Sequence, residues 1–176
     1  MTENFINKIL EMAKREQSLR EIYLKTKSED DFKKIKEVDK ENRKIFKQIF
    51  KEIGYISSEY GKDAQLAAFL IVQHMPKEDV LFMKKYLSLM KDDLKDINPL
   101  NYAQLVDRVR IYEGKNQMYG TQFSPIEGKK DIYKLHKIYK PKEVDLRRKH
   151  IGLESLSDYF ERISKERNIT VIKEIN

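Results

Sequence analysis

The spacing of apolar residues predicts helices over most of the chain. Phe5, Ile9, Met12, Ala13, Leu19 and Ile22 recur at helical intervals across residues 3–27, predicting an amphipathic helix broken near Gln17–Ser18. Ser28 is placed to cap a second helix, with Asp31 as a box-like partner. That helix is expected over residues 29–53, with Ile35, Val38, Phe46, Ile49 and Phe50 inward and Gly54 past its end. Its polar run DKENRK, between Val38 and Ile45, reads as a solvated turn. The alternative is that Asp39, Glu41, Asn42 and Arg43 line a cleft.

The stretch Ala64–Met75, AQLAAFLIVQHM, has a different pattern: eight of its first nine residues are apolar. A helix apolar nearly all round belongs in a core. At about 12 residues it falls short of the roughly 20 that a membrane span needs. It ends by delivering Gln73 and His74 to the edge of that core, just before Pro76. A helix over 77–96 follows, and then one opened by Asn98 as cap and Pro99 as first helical residue, stopping at Gly114. Beyond Gly114 the period shortens. Asn116–Phe123 and Ile132–Tyr139 predict two strands of a hairpin packed on the helices. Pro141 begins another helix, Ser155 or Ser157 caps a last one, and the tail from Asn168 either adds a short strand or frays. The expected fold is mainly α: one helical domain around a buried central helix, with a small β-hairpin after the fifth helix. Residues 1–53 supply its N-terminal amphipathic helices and residues 54–176 the remainder.

Composition narrows the chemistry. Apolar content of 40% and charged content of 37% fit a soluble protein. No secretory pattern or long apolar run is present, so a cytoplasmic location without membrane contact is expected. The absence of cysteine excludes disulfides, thiol nucleophiles and cysteine-held metals, and three scattered histidines argue against a metal or cofactor site. The net charge of +7 is concentrated: residues 115–149 hold ten Lys or Arg against four Asp or Glu. Such a surplus favours an anionic partner, although a lysine-rich composition raises the isoelectric point by itself. Nucleic acid is disfavoured, because no helix carries a basic stripe with interleaved aromatics. Nothing in the pattern sets an oligomeric state.

Several side chains are candidates for a site. A cationic His74 is favoured at a helix C-terminus; the alternative is a core-edge histidine bonded to a backbone carbonyl. Gln73 either joins it or satisfies the loose carbonyls near Pro76. Asp107 lies opposite the apolar stripe of its helix, facing solvent or a second layer such as the hairpin or Arg147. Arg108 can grip an anion bidentately or cover the core edge with its stem. Strand alternation would gather Lys115, Gln117, Tyr119 and Thr121 on one polar face, exposed or lining a pocket, while Gly120 permits close backbone approach. Arg147 and Arg148 are adjacent on a helix and cannot point the same way. His136 and His150 read as structural. No P-loop, dinucleotide fingerprint, HExxH or GxSxG occurs.

Taken together, Gln73-His74, Asp107-Arg108-Val109, the run from Gly114 to Gln122 and the run from Val144 to Tyr159 resemble an uncharacterised bacterial family catalogued as a domain of unknown function. Its series is QH, DRV, GKxQxYGTQ and VDxRRxxxGLxxLxxY. The resemblance implies that these positions form one site and carries over no reaction. The reading that follows is a small enzyme, a hydrolase or transferase without metal, acting on an anionic substrate that contains a phosphate or nucleotide. His74 is its general acid or base with Asp107 as a second catalytic residue. Gln73, Arg108, Lys115, Gln117, Tyr119, Thr121, Gln122, Arg147 and Arg148 bind the substrate. Two alternatives remain open: a non-catalytic binding or sensing module using the same pocket, and a protein-interaction domain using the basic hairpin.

Overall fold

Two residues, Lys27 and Ser28, turn the chain between a pair of 25-residue helices, α1 (Thr2–Thr26) and α2 (Glu29–Ile53). The computed structural model describes residues 2–92 and 95–172, which fall into two compact units, Met1–Ile97 and Asn98–Asn176. Ser28 caps α2 by accepting the Asp30 N–H at 3.2 Å. Asp31 closes no capping box; it accepts the Thr26 hydroxyl at 2.8 Å and pairs with Lys34. The break expected near Gln17–Ser18 is absent. α1 packs along both α2 and the central helix α3 (Lys62–Gln73), and such packing outweighs the modest helix propensity of two polar residues.

α3 buries seven of its twelve residues, among them Phe69, Ile71 and Val72. After a 3-10 turn at Lys77–Asp79, α4 covers Val80–Asp92. The helix expected over 77–96 includes residues 93–94, outside the described residues. Phe46, Phe50, Phe82, Tyr86 and Tyr55 form an aromatic cluster with ring centroids 5.1–6.4 Å apart. Tilted and edge-on pairs at these distances add to the area they bury.

The polar run in α2 is a partial correction. Lys40, Glu41 and Lys44 are exposed as expected, while Asp39, Asn42 and Arg43 join an interhelical network. Asn42 is buried, Asp39 half-buried against Arg20, and Arg43 donates to the buried Asp79 at 3.2 Å alongside Lys47 at 2.5 Å. Six consecutive helical residues go right round the axis, so some must face neighbours, and buried polar groups require partners.

In the C-terminal unit, Asn98 accepts the Leu100 N–H at 2.8 Å and starts α5 (Pro99–Tyr112). A three-stranded sheet follows, with β1 (Phe123–Pro125) antiparallel to β2 (Ile132–Leu135) and β3 (Thr170–Ile172) parallel to β2. Between β2 and β3 lie α6 (Val144–His150) and α7 (Leu156–Arg167), the latter capped by Ser155. Leu135, Val144, Leu156, Tyr159, Phe160 and Ile163 make the core. The tail from Asn168 does add a strand. The strand expected over 116–123 is instead a loop: Gln117 makes a single bridge to Ile138, and regular pairing starts at Phe123.

Gly120 sits in that loop at φ +76°, where an added Cβ would lie 2.6 Å from Leu156 Cδ1. A left-handed backbone costs a non-glycine residue about 1–2 kcal/mol, and the methyl must also displace a core leucine. Gly120→Ala should therefore lower the unfolding free energy by roughly 2 kcal/mol. An unchanged urea midpoint would show that the loop accommodates the methyl freely. No described helix is long and apolar enough to cross a membrane.

Candidate functional site

α3 ends at Gln73, and His74 forms its C-cap at φ −95° and ψ 4°, its N–H bonded to Leu70 O at 3.2 Å. The imidazole Nδ1 meets Glu16 Oε1 of α1. Glu16 is 1% exposed, whereas the His74 side chain is 23% exposed. Arg20 and Gln17 each donate to Glu16 at 3.3 Å, and Asn42 approaches it at 3.5 Å while donating to Met12 O at 3.3 Å. Arg20 then reaches both oxygens of Asp39 at 2.8 and 2.9 Å. Three helices thus place two carboxylates, a guanidinium, two amides and an imidazole in one cluster. Beside it, Gln73 Oε1 is buried without a hydrogen-bond partner.

Toward an ionised carboxylate, which only accepts hydrogen bonds, Nδ1 of the imidazole acts as the donor. Burial pushes the Asp39 carboxyl above its ordinary range, and Arg20 draws it part of the way back. A carboxyl with a raised folded pKa contributes stability that is complete below the unfolded pKa, near 3.9, and is lost as pH rises through the folded value. Asp39→Asn removes this titration. The stability of wild type relative to this variant should be greatest near pH 4 and decline toward pH 7. Urea unfolding across that range measures it, and a difference that grows with pH contradicts the assignment.

In the C-terminal unit Asp107 is fully buried and organises the loop after α5. Its Oδ1 accepts the Met118 and Tyr119 N–H groups at 2.6 and 3.0 Å, and its Oδ2 accepts the Thr121 N–H and hydroxyl, both at 2.9 Å. Burial raises its pKa, and these bonds act in the opposite sense. Gln117, also fully buried, donates to His136 O at 2.7 Å and Gln122 O at 3.1 Å, and accepts the Gln122 N–H at 2.9 Å. The Gln122 amide reaches Gln104 O at 3.3 Å. From α6, Arg147 donates to Met118 O at 3.0 Å and Tyr139 O at 2.5 Å. Arg148, buried 4.8 Å from the Tyr159 ring centroid, donates to Tyr119 O at 2.6 Å and Glu154 O at 2.8 Å. Asp145 accepts the Leu156 N–H at 2.7 Å.

The expected site residues thus divide. Gln73 and His74 belong to the N-terminal unit, the others to the C-terminal one. Asp107, Gln117, Gln122, Arg147 and Arg148 have their polar groups engaged chiefly by backbone, the Thr121 hydroxyl bonds the Asp107 and Gln122 side chains, and together they clamp one loop. Both oxygens of Asp107 are taken up by loop donors. Lys115 is exposed and pairs with Glu113 at 2.8 Å. Tyr119 is half-buried, and burial raises its phenol pKa. Arg108 is half-buried, with its Nε buried and unpartnered.

Sequence reasoning missed Glu16 and Arg20. The signal was there: Glu16 continues the buried series Ile9, Met12, Ala13 at helical spacing, and an acid on a core stripe requires a partner. Among the described residues no group of three or more His, Asp or Glu side chains is arranged to hold a metal ion.

The chain belongs to a family of unknown function, DUF6624, which it matches over residues 4–171. No curated protein and no solved structure matches it.

Proposed function

We propose that Glu16 and His74 are the acid–base centre of an enzyme, a hydrolase or transferase. The carrying observation is the pairing of a fully buried carboxylate with Nδ1 of a partly exposed imidazole. Glu16 fixes the ring's orientation and tautomer and stabilises the imidazolium. His74 Nε2 takes a proton from an attacking water or substrate hydroxyl and returns it to the leaving group. Arg20 and Asn42 hold Glu16 in place, and Asp39 holds Arg20. Asp107 has no part in this chemistry.

A second reading is a ligand-binding module without turnover. It is favoured by Gln73 Oε1, a buried acceptor that lacks a donor. Leaving such a group unmatched costs about 1–3 kcal/mol, so a ligand N–H at this position would bind with gain.

The deciding experiment screens the purified chain against chromogenic esters, amides, phosphoesters and glycosides, with His74→Asn run in parallel. Turnover of one class that is lost in the variant supports the enzyme. Absence of turnover in every class, or activity that survives the substitution, overturns it.

A further inference from the structure

The C-terminal unit contains a second histidine pair. Ser124 Oγ of β1 and His136 Nε2, just past β2, lie 2.8 Å apart. The register explains the pairing. Phe123 is opposite Leu135 on the core side, and the His136 N–H bonds Gln122 O at 3.2 Å. Strand alternation therefore puts Gln122, Ser124 and His136 together on the other side. Gln122 also touches α5 at Gln104 O, and Arg108 lies one helical turn further along the same face of α5. Arg108 Nε is buried without a partner. Lys134, the cross-strand neighbour of Ser124, adds positive charge.

We propose that Arg108, Ser124 and His136 form a binding site for a phosphate-type oxyanion, either free phosphate or the end of a small organic phosphate. Arginine at this position is explained by nothing it bonds through Nε. A buried charged donor without an acceptor is costlier than a neutral one, and a charge-assisted bond to an oxyanion relieves that cost. One proton of the Ser124–His136 pair is spent in their mutual bond, so an oxyanion there meets the Arg108 guanidinium N–H and the pair's remaining hydroxyl or imidazole proton. Burial, with Arg108 and Lys134 nearby, holds the imidazole pKa below its ordinary value. An arriving anion offsets those cations, so His136 can take up a proton, its Nε2–H then donating to Ser124 Oγ and freeing the hydroxyl proton for the anion. This site is independent of Glu16 and His74, and their failure as an acid–base pair leaves it intact.

The test titrates inorganic phosphate into the full-length ¹⁵N-labelled chain at constant ionic strength while following the His136 imidazole and Arg108 Nε–H resonances. Both should shift saturably. Arg108→Gln should weaken the affinity by about tenfold or more, equivalent to ~1.4 kcal/mol, and Ser124→Ala severalfold, each with an unchanged thermal midpoint. If Arg108→Gln does not fold, Arg108→Lys, which keeps the charge without the planar fork, should still bind more weakly than wild type. Phenyl phosphate repeats the titration: tighter binding assigns the site to organic phosphates, equal binding to free phosphate. A linear shift, a shift reproduced by chloride, or full affinity in both Ser124→Ala and the folded Arg108 variant overturns the proposal.

Discussion

Asp107→Ala is expected to destabilise the C-terminal unit by on the order of 4 kcal/mol, because it orphans several buried donors at about 1–3 kcal/mol each. Three backbone N–H groups and one hydroxyl converge on this carboxylate. The alanine methyl accepts from none of them, and water enters only if the loop opens. Opening has a further consequence. Arg147 and Arg148 are bonded to the Met118 and Tyr119 carbonyls, so moving this backbone also strips partners from a buried guanidinium. Asp107→Asn keeps one acceptor but turns an amide N–H toward a donor, and should cost about half as much. Urea unfolding gives the free energies, and hydrogen exchange at Met118, Tyr119 and Thr121 reports the loop directly. If Asp107→Ala unfolds within 1 kcal/mol of wild type, the carboxylate does not hold the loop.

His74→Asn should lower kcat/KM by about 10²- to 10⁴-fold, the usual contribution of a positioned general acid or base, with little change in stability. The choice of asparagine follows from the geometry. Its amide nitrogen occupies roughly the position of Nδ1, so Glu16 keeps a donor while the titrating Nε2 is lost. Glu16→Gln should reduce turnover less, since the ring stays in place but its imidazolium loses a counter-charge. A histidine that only seals the core edge gives the opposite result: stability falls in step with any loss of activity.

Local signals fixed much of the fold. α2 runs over the expected residues because Ser28, the apolar period and Gly54 all act within a turn of their positions. Asn98 marks α5 for the same reason. The strand expected over Asn116–Phe123 failed short of Phe123 because its cause lies elsewhere: alternating polar residues suggest a pleat, but an aspartate 11–14 residues upstream gathers their N–H groups into a loop. Sequence adjacency established that Arg147 and Arg148 diverge, and could not say that both end on backbone carbonyls. The His74 cluster was half legible. Asp39 and Asn42 stood there only as the alternative lining of a cleft, and Glu16 lay on the buried stripe of α1, but its pairing with His74, 58 residues away, is beyond any periodic signal.

The pairing of β3 with β2 also bears on synthesis. Tyr133 faces Val171 in parallel register, so the sheet cannot finish until α6 and α7 have been made and brought round. Parallel pairing across such a connection gains its hydrogen bonds only after the loop entropy has been met. A ribosome therefore releases the helices of the N-terminal unit, which precede β2 in the chain, well before β2 has its second neighbour. During that interval β2 has one edge open, and a nascent chain stalled there offers that edge to other chains or to a chaperone.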